Sequence, residues 1–231
     1  MNSKNICIIP AREGSKGIKY KNLSKINGNS LLEITIGQAI KSKVFDRIFV
    51  STESKKILNS IRYDLDIPFL RPPYLAEDNI HVSEVIVHSI LEFQSMGFYY
   101  DNVVMLMPTS PLRTSKSIVD AMKTYSNSNA DSLVSVVNTN KLETNIRYLN
   151  NDGSLEYFNK SSKKNVNRQT VKPLYAVNGS IYIANISNFL KTKTFHMKNV
   201  IGYKMSEIES IDINTKQDLE LAKIIIESRS K

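Results

Sequence analysis

The sequence predicts an α/β fold: a mostly parallel sheet with helices on both faces. Three observations support this. Strand-length apolar runs and helical periodicities alternate five times between the N-terminus and about residue 137. The run Val103-Val104-Met105-Leu106-Met107 is apolar without alternation, as expected for a central strand covered on both faces. With 231 residues, the chain is long enough to bury the core that one such domain needs.

The first strand is read from Lys4 to Ile9, where Pro10 stops it. Ser30 with Glu33 forms a capping-box pattern, opening a helix to about Ser42 with Leu32, Ile36, Ala39 and Ile40 on its apolar face. Arg47–Ser51 is the second strand, and Thr52-Glu53-Ser54 starts a helix through about Tyr63. Ile67–Leu70 is a short third strand, ended by Arg71-Pro72-Pro73 because prolines cannot continue a ladder. Ser83–Met96 is a helix facing inward through Val85, Ile86, Ile90, Leu91 and Phe93. After the central strand, Ser115–Tyr125 reads as a helix and Ser132–Val137 as a strand. Residues 138–177 break the pattern. Asn151-Asp152-Gly153 marks a hairpin between Asn145–Leu149 and Leu155–Phe158, followed by a basic segment from Asn159 to Lys172. This is an insertion between a main domain of residues 1–137 and its continuation, 178–231. Gly179–Ala184 and Val200–Lys204 return to strand, and a last helix begins near Thr215 with Leu219, Leu221, Ala222, Ile225 and Ile226 inward.

The single cysteine, Cys7, excludes an intramolecular disulfide framework and reads as a buried, inert thiol. No apolar run approaches the ~18 residues of a membrane span, and Pro10-Ala11-Arg12 cuts short any signal-like segment, so a cytoplasmic protein is expected. The net charge of +9 admits nucleic acid or an anionic small molecule as partner. No nucleic-acid-binding motif accompanies the densest cluster, Lys160 to Arg168, and an anionic substrate explains the local charge better.

Four stretches carry candidate chemistry. The loop Pro10–Asn22 has glycines at 14 and 17 and cations at Arg12, Lys16, Lys19 and Lys21. Glycines let backbone N–H groups approach an anion, and the cations offset its charge. It is neither a Walker A loop nor G-x-G-x-x-G. An exposed basic loop would have the same composition, but ligands of open α/β sheets bind beyond the carboxyl ends of strands. Pro108-Thr109-Ser110-Pro111-Leu112-Arg113 stands at another such end; its plain alternative is a rigid turn with Ser115 capping the next helix. Asp212 and Asn214 share one side of an extended segment and could hold a hard cation, or Asp212 could simply cap the helix. Asn178-Gly179 precedes a strand as a turn pair. The histidines lack metal-ligand spacing; His88 reads as structural, while His81, in a loop, could face a ligand.

Ile9-Pro10-Ala11-Arg12-x-Gly14-Ser15-Lys16-Gly17 with Lys21-Asn22 resembles the signature of the CMP-sialic acid synthetases, the acylneuraminate cytidylyltransferases. The 108–113 block, Asn178-Gly179-x-Ile181-Tyr182 and Asp212-Ile213-x-Thr215-x-x-Asp218-Leu219 match further blocks in the same order, so the resemblance covers nearly the whole chain. It implies a Rossmann-like fold and a homodimer, with residues 138–177 as the dimerisation element. It also implies Mg²⁺-dependent transfer of CMP from CTP to an acidic nine-carbon sugar of the N-acetylneuraminate, legionaminate or pseudaminate type. Carried over by position, Arg12, Lys21 and Asp212 are the catalytic residues. Ala11, Gly14, Ser15, Lys16, Asn22, Arg71 and Asp78 join Arg12 and Lys21 at the nucleotide. Met107, Arg168, Gln169, Asn178 and Tyr182 lie towards the sugar, and Asp212 and Asn214 take the metal positions.

Three departures concern the metal and sugar positions. Asn214 replaces a second aspartate, Met107 stands where a sugar-contacting glutamine is familiar, and Ala176-Val177 stand where some members carry an arginine. The more apolar sugar side this implies suits a deoxygenated, diacylated acid such as legionaminic or pseudaminic acid. Activation of Kdo is the nearest alternative; a catalytically weak nucleotide-binding protein and a basic nucleic-acid-binding protein are the non-enzyme ones.

Overall fold

Six strands build the central sheet of the computed structural model, which describes residues 3–15, 17–139, 141, 145–159 and 173–229. In chain order the elements are β1 (Asn5–Pro10), a small hairpin of β2 (Lys25–Ile26) and β3 (Asn29–Ser30), α1 (Leu31–Ser42), β4 (Arg47–Ser51), α2 (Lys55–Ser60), α3 (Val82–Ser95) and β5 (Asn102–Leu106). There follow α4 (Ser115–Ser126), β6 (Ser132–Asn138), a second hairpin of β7 (Arg147–Leu149) and β8 (Leu155–Tyr157), β9 (Tyr175–Asn185), α5 (Ile186–Thr192), β10 (Val200–Lys204) and α6 (Lys216–Ser228).

The sheet order is β10-β6-β9-β5-β1-β4. β1 runs parallel to both β4 and β5, and β10 parallel to β6, while β9 is antiparallel to both its neighbours. β4 and β5 lie on opposite sides of β1, so the loops leaving β1 and its neighbours diverge and open a crevice at their carboxyl ends. Alternate residues divide the core. Cys7, Ile9, Val104 and Leu106 face the layer of α1 and α4, whereas Ile6, Ile8, Val103 and Met105 face α3 and α5; all are essentially inaccessible. The continuous apolar run read as a doubly covered strand is β5.

Local chemistry starts and stops the helices. Ser30 and Glu33 form the expected capping box of α1, and Thr215 with Asp218 forms another on α6. Thr114, not Ser115, caps α4: its hydroxyl accepts from the Ser117 amide. His81 caps α3 by accepting from the Ser83 amide at 3.2 Å, so its ring serves the helix.

Several expectations are corrected. Ile67–Leu70 pairs with no strand; proline at 68, 72 and 73 removes ladder donors, and the segment is held by packing instead, Phe69 lying 4.6 Å from Phe49 between ring centroids. α2 ends at Ser60, short of Tyr63. β9 begins at Tyr175 and continues the ladder to Asn138, so the insertion hangs from paired strands rather than from loops. The β2–β3 hairpin was legible in Asn27-Gly28, whose positive φ angles of 48° and 78° are those of its tight turn. α5, capped by Asn185, was not anticipated. Ile40, Leu91 and Leu221, assigned to inward faces, are exposed. Lys16, Arg168 and Gln169, with the basic run 160–168, lie outside the described residues.

Candidate active site

The loop after β1 is shaped by contacts to three other segments. Ala11 N still donates to Ser51 O of β4 at 2.9 Å, and Glu13 N donates to Glu53 Oε1 at 2.7 Å. Beyond, the chain turns back through Tyr20, at φ 55°, into a 3₁₀ turn at Lys21–Leu23. Asn22 closes the loop by donating from Nδ2 to Arg12 O at 2.9 Å. A Cβ on Gly17 would lie 2.6 Å from the carbonyl oxygen of Asn214, so only glycine allows the loop this close to the 212–214 segment. Gly14 has no such neighbour; a Cβ there would point into open space.

Lys21 and Ile213 join the three motifs. Lys21 Nζ donates to Ile213 O at 2.7 Å and lies 3.3 Å from Asn214 Oδ1, while Ile213 N donates to Thr109 O at 2.8 Å. Beneath these polar ties lies a small apolar cluster. Ile18, Leu112 and Ile213, one from each motif, are buried against Leu219 and Ala222 of α6. Each motif thus contributes one buried apolar residue that holds it against the others.

Between these segments opens a cavity of about 400 Å³, lined among others by Arg12, Lys21, Arg71, Asp78, Met107 and Asn214. Ser15, Gly17 and Asn22 also reach it, and Leu75, Ile80, Val82 and Val85 form an apolar wall. A wider hollow of about 720 Å³ lies around Asn5, Asp46 and Asn102, at the amino ends of the strands, away from every motif.

The arginines are held differently. Arg71 is 4% exposed, with Nε and Nη2 both on Glu53 Oε2, at 3.0 and 2.7 Å. Burial pushes its guanidinium below the usual range, Glu53 opposes this, and nearby Arg12 adds to it. Breaking a buried pair of this kind costs on the order of 3–5 kcal/mol, so Arg71 stays on Glu53. Arg12 is about one-third exposed and bonds Asp78 Oδ1 at 2.8 Å and Ala76 O at 3.1 Å. An exposed pair is worth only about 0.2–1 kcal/mol, so a stronger anion can take Arg12 from Asp78.

Glu53 is a site residue that sequence reasoning missed. Its two oxygens tie the Glu13 amide to Arg71, and the available signal was its place just beyond β4, next to the crevice. Asn178, expected towards the sugar, is 8% exposed with its amide engaged internally. Oδ1 accepts from Ser135 Oγ at 2.5 Å and Ser180 N at 3.2 Å, and Nδ2 donates to Ser210 Oγ at 2.8 Å. Tyr182 packs on Phe195, and burial, with the Asp212 carboxylate nearby, raises its hydroxyl above the ordinary tyrosine range. Among the described residues no group of three or more His, Cys, Asp or Glu side chains could hold a metal. Asp212 and Asn214 do stand together, Asn214 Nδ2 donating to Asp212 Oδ2 at 2.7 Å.

Fold and site together define a Rossmann-like α/β protein with a cationic cavity at the carboxyl ends of its parallel strands. The chain belongs to the cytidylyltransferase family, whose sequence model matches residues 6–228. It is 35% identical to an N-acylneuraminate cytidylyltransferase of Escherichia coli O18:K1:H7, an alignment that covers all of this chain and 54% of that protein. The chain therefore spans about half the length of that relative. It is 33% identical to a CMP-N,N'-diacetyllegionaminic acid synthase of Legionella pneumophila, with 96% of each chain covered. Identity to a pseudaminic acid cytidylyltransferase of Campylobacter jejuni is 28%, again with 96% of each covered. Among solved structures, a CMP:2-keto-3-deoxy-manno-octonic acid synthetase complexed with CTP superposes with a TM-score of 0.70 at 13% identity, covering 98% of this chain and 100% of that one. A 4-diphosphocytidyl-2C-methyl-D-erythritol synthase also gives 0.70, at 12% identity, covering 97% of this chain and 100% of that one. These two likenesses concern the fold.

Proposed function

We propose that the chain transfers CMP from CTP to an acidic nine-carbon nonulosonic sugar and releases pyrophosphate. The observation that carries this reading is the junction at Lys21. Its ammonium joins the glycine-containing loop to the 212–214 segment, at the mouth of a cavity that also presents Arg12 and Arg71. In the reaction the sugar's anomeric hydroxyl oxygen forms a bond to the α-phosphorus. The bond from that phosphorus to the bridging oxygen breaks, pyrophosphate leaves with the electron pair, and the hydroxyl proton passes to solvent. No protein nucleophile is needed, so positioning and charge stabilisation do the work.

Arg12 exchanges Asp78 for the polyphosphate, and Lys21 turns its ammonium from the Ile213 carbonyl to a phosphate oxygen. Asn22 and the Gly14-Ser15 backbone shape the cradle, with Ala11 at its start and Lys16 within the same loop. Arg71, fixed by Glu53, keeps a positive charge at the cavity wall. Tyr182 stands beside Asp212 on the sugar side; Met107 lines the cavity there, and Asn178 shapes that side from within. The donor set fits Mg²⁺ shared with nucleotide phosphates: Asp212 offers one carboxylate beside Asn214, and the polyphosphate would complete the shell. Bound there, Mg²⁺ would neutralise phosphate charge and favour ionisation of the attacking hydroxyl.

Met107 in the cavity wall favours an acceptor of the legionaminic or pseudaminic type. The functional partner is a second copy of this chain. Leu149 and Leu155 oppose each other on the β7–β8 hairpin and are 74% and 66% exposed. A two-stranded hairpin is marginal by itself, and covering this leucine pair would stabilise it. We place the reaction in the cytoplasm, where CTP is available.

The test is pyrophosphate release from CTP, with UTP and ATP as controls, against N-acetylneuraminate, a legionaminic acid, a pseudaminic acid and Kdo. Release with CTP and a nine-carbon acid supports the function. Release only with Kdo, or with no acceptor, overturns it. N-acetylneuraminate reacting far better than the deoxygenated acids overturns the acceptor preference alone.

A further inference from the structure

The hydrogen bonds around Asn214 fix how the groups at the proposed cation position are arranged. Asn214 Nδ2 donates to Asp212 Oδ2 at 2.7 Å, and Asn214 Oδ1 lies 3.3 Å from Lys21 Nζ. The amide cannot be turned over. Reversal would set its oxygen against a carboxylate oxygen and its NH₂ against an ammonium. The backbone holds the residue in place as well. Asn214 N donates to Asp218 Oδ2 at 3.0 Å, and Gly17 lies against the Asn214 carbonyl.

Asp212, Asn214 and Lys21 therefore form a chain whose formal charges cancel. The Asn214 amide oxygen that could bind a cation faces an ammonium, one oxygen of the Asp212 carboxylate is already bonded to the amide, and the neighbouring Asp218 carboxylate is engaged by the amides of Asn214 and Thr215. Lys21 itself is anchored to the Ile213 carbonyl at 2.7 Å, so the positive charge is held at this spot. An aspartate at 214 would reverse the balance. Two adjacent carboxylates repel each other, and a divalent cation relieves that repulsion with or without nucleotide.

We infer that this chain does not hold a divalent cation by itself. The cation enters only as a complex with the nucleoside triphosphate, and Asn214 acts as a tie that keeps Asp212 and Lys21 in register rather than as a ligand. The polyphosphate draws Lys21 away, since an ammonium–phosphate bond is stronger than an ammonium–carbonyl one. That movement frees the cation position at the moment the phosphates bring the cation in. The inference rests on the nucleotide reading above and specifies when and how the metal binds.

Manganese titration followed by electron paramagnetic resonance of the free ion tests it. Four samples are compared: the protein with Mn²⁺ alone, the protein with Mn²⁺ and a CTP analogue carrying an α,β-methylene bridge, the analogue with Mn²⁺ but no protein, whose own uptake of the ion is subtracted, and Asn214→Asp with Mn²⁺ alone. Nucleotide binding is measured separately by calorimetry in metal-free buffer and in buffer with Mg²⁺. Mn²⁺ should bind one site per chain with the analogue and at least about tenfold more weakly without it. Asn214→Asp should recover at least about tenfold in nucleotide-free affinity. Equal Mn²⁺ affinity of the unaltered protein with and without the analogue overturns the inference, whether or not the variant folds. A folded Asn214→Asp that binds Mn²⁺ no better than the unaltered protein overturns the role given to Asn214. If the analogue does not bind with or without metal, the nucleotide reading falls and this inference with it. Normal analogue binding alongside tight nucleotide-free Mn²⁺ binding removes this inference alone.

Discussion

Gly14 and Gly17 belong to one motif, and only their surroundings separate them. Gly17→Ala drives a methyl into the Asn214 carbonyl at 2.6 Å, so the loop must move off the 212–214 segment. Thermal unfolding should show a loss of about 1–3 kcal/mol, with turnover reduced in parallel. Gly14→Ala meets nothing within 4 Å and needs no unusual φ, so its melting temperature should be unchanged while nucleotide affinity falls if backbone approaches phosphate there. The cations are separable in the same way. Lys21→Ala removes a side chain that bonds both Ile213 and Asn214, and kcat/KM for CTP should fall by about 10²-fold or more. Asp78→Asn weakens the exposed hold on Arg12, so KM for CTP should stay level or fall in steady-state assays. A large rise in KM would show that Asp78 contacts the nucleotide directly.

At the scale of elements, capping decides where the site-bearing segments begin. The extended Asp212–Asn214 segment ends where Thr215 and Asp218 form the α6 capping box. Asp218 accepts from the amides of Asn214 and Thr215, at 3.0 and 2.7 Å. Those backbone bonds, with the Thr215 hydroxyl, hold its carboxyl below the ordinary value of 3.8. A depressed folded-state pKa contributes stability that is present above about pH 3.8 and is lost as pH falls through the folded value. Asp218→Asn should therefore lower the melting temperature at pH 6, and the gap should close as both proteins are taken into acid. A gap that stays constant down to pH 2 would show that the carboxylate charge contributes nothing.

Across the whole molecule, Arg113 links the sheet to the site. It is 1% exposed, and its Nη1 donates to Met107 O at 3.2 Å and Ser180 O at 2.8 Å, tying the end of β5 to β9. No carboxylate pairs with it among the described residues, its Nε has no partner, and burial lowers its pKa to about 10. Arg113→Ala removes two bonds to buried carbonyls and opens a cavity, while relief of the buried charge offsets part of the loss. Urea unfolding should register a net loss of about 3 kcal/mol. On the β7–β8 hairpin, Leu149→Asp with Leu155→Asp should convert the proposed dimer to monomers in light scattering; an unchanged mass would overturn the hairpin as the subunit contact.

Legibility followed the range of the interaction. The β5 run, the capping box of α1, the β7–β8 turn and the main strands were readable because propensity, period and turn chemistry act within a few residues. Ile67–Leu70 misled because its apolar residues resemble a strand's, whereas Pro68 removes a ladder donor and Phe69 packs on Phe49 instead. Ile18, Leu112 and Ile213 looked like filler within polar motifs, although their joint burial brings those motifs together. Glu53 was read as part of a helix start, yet it holds Arg71 and the loop amide of Glu13.

The sequence by itself determined the alternation of strands and helices, the glycine-containing cationic loop, and the family to which the ordered motifs belong. Each is encoded in residues close together in the chain. Only the tertiary structure decided that Arg12 is held loosely and Arg71 tightly, that Asn178 is bonded inward, and that Asn214 lies between a carboxylate and an ammonium. Those outcomes depend on groups up to 193 residues apart, as Lys21 and Asn214 are. Their burial and charge balance exist only once the strand order brings the carboxyl ends of β1, β4 and β5 to one crevice.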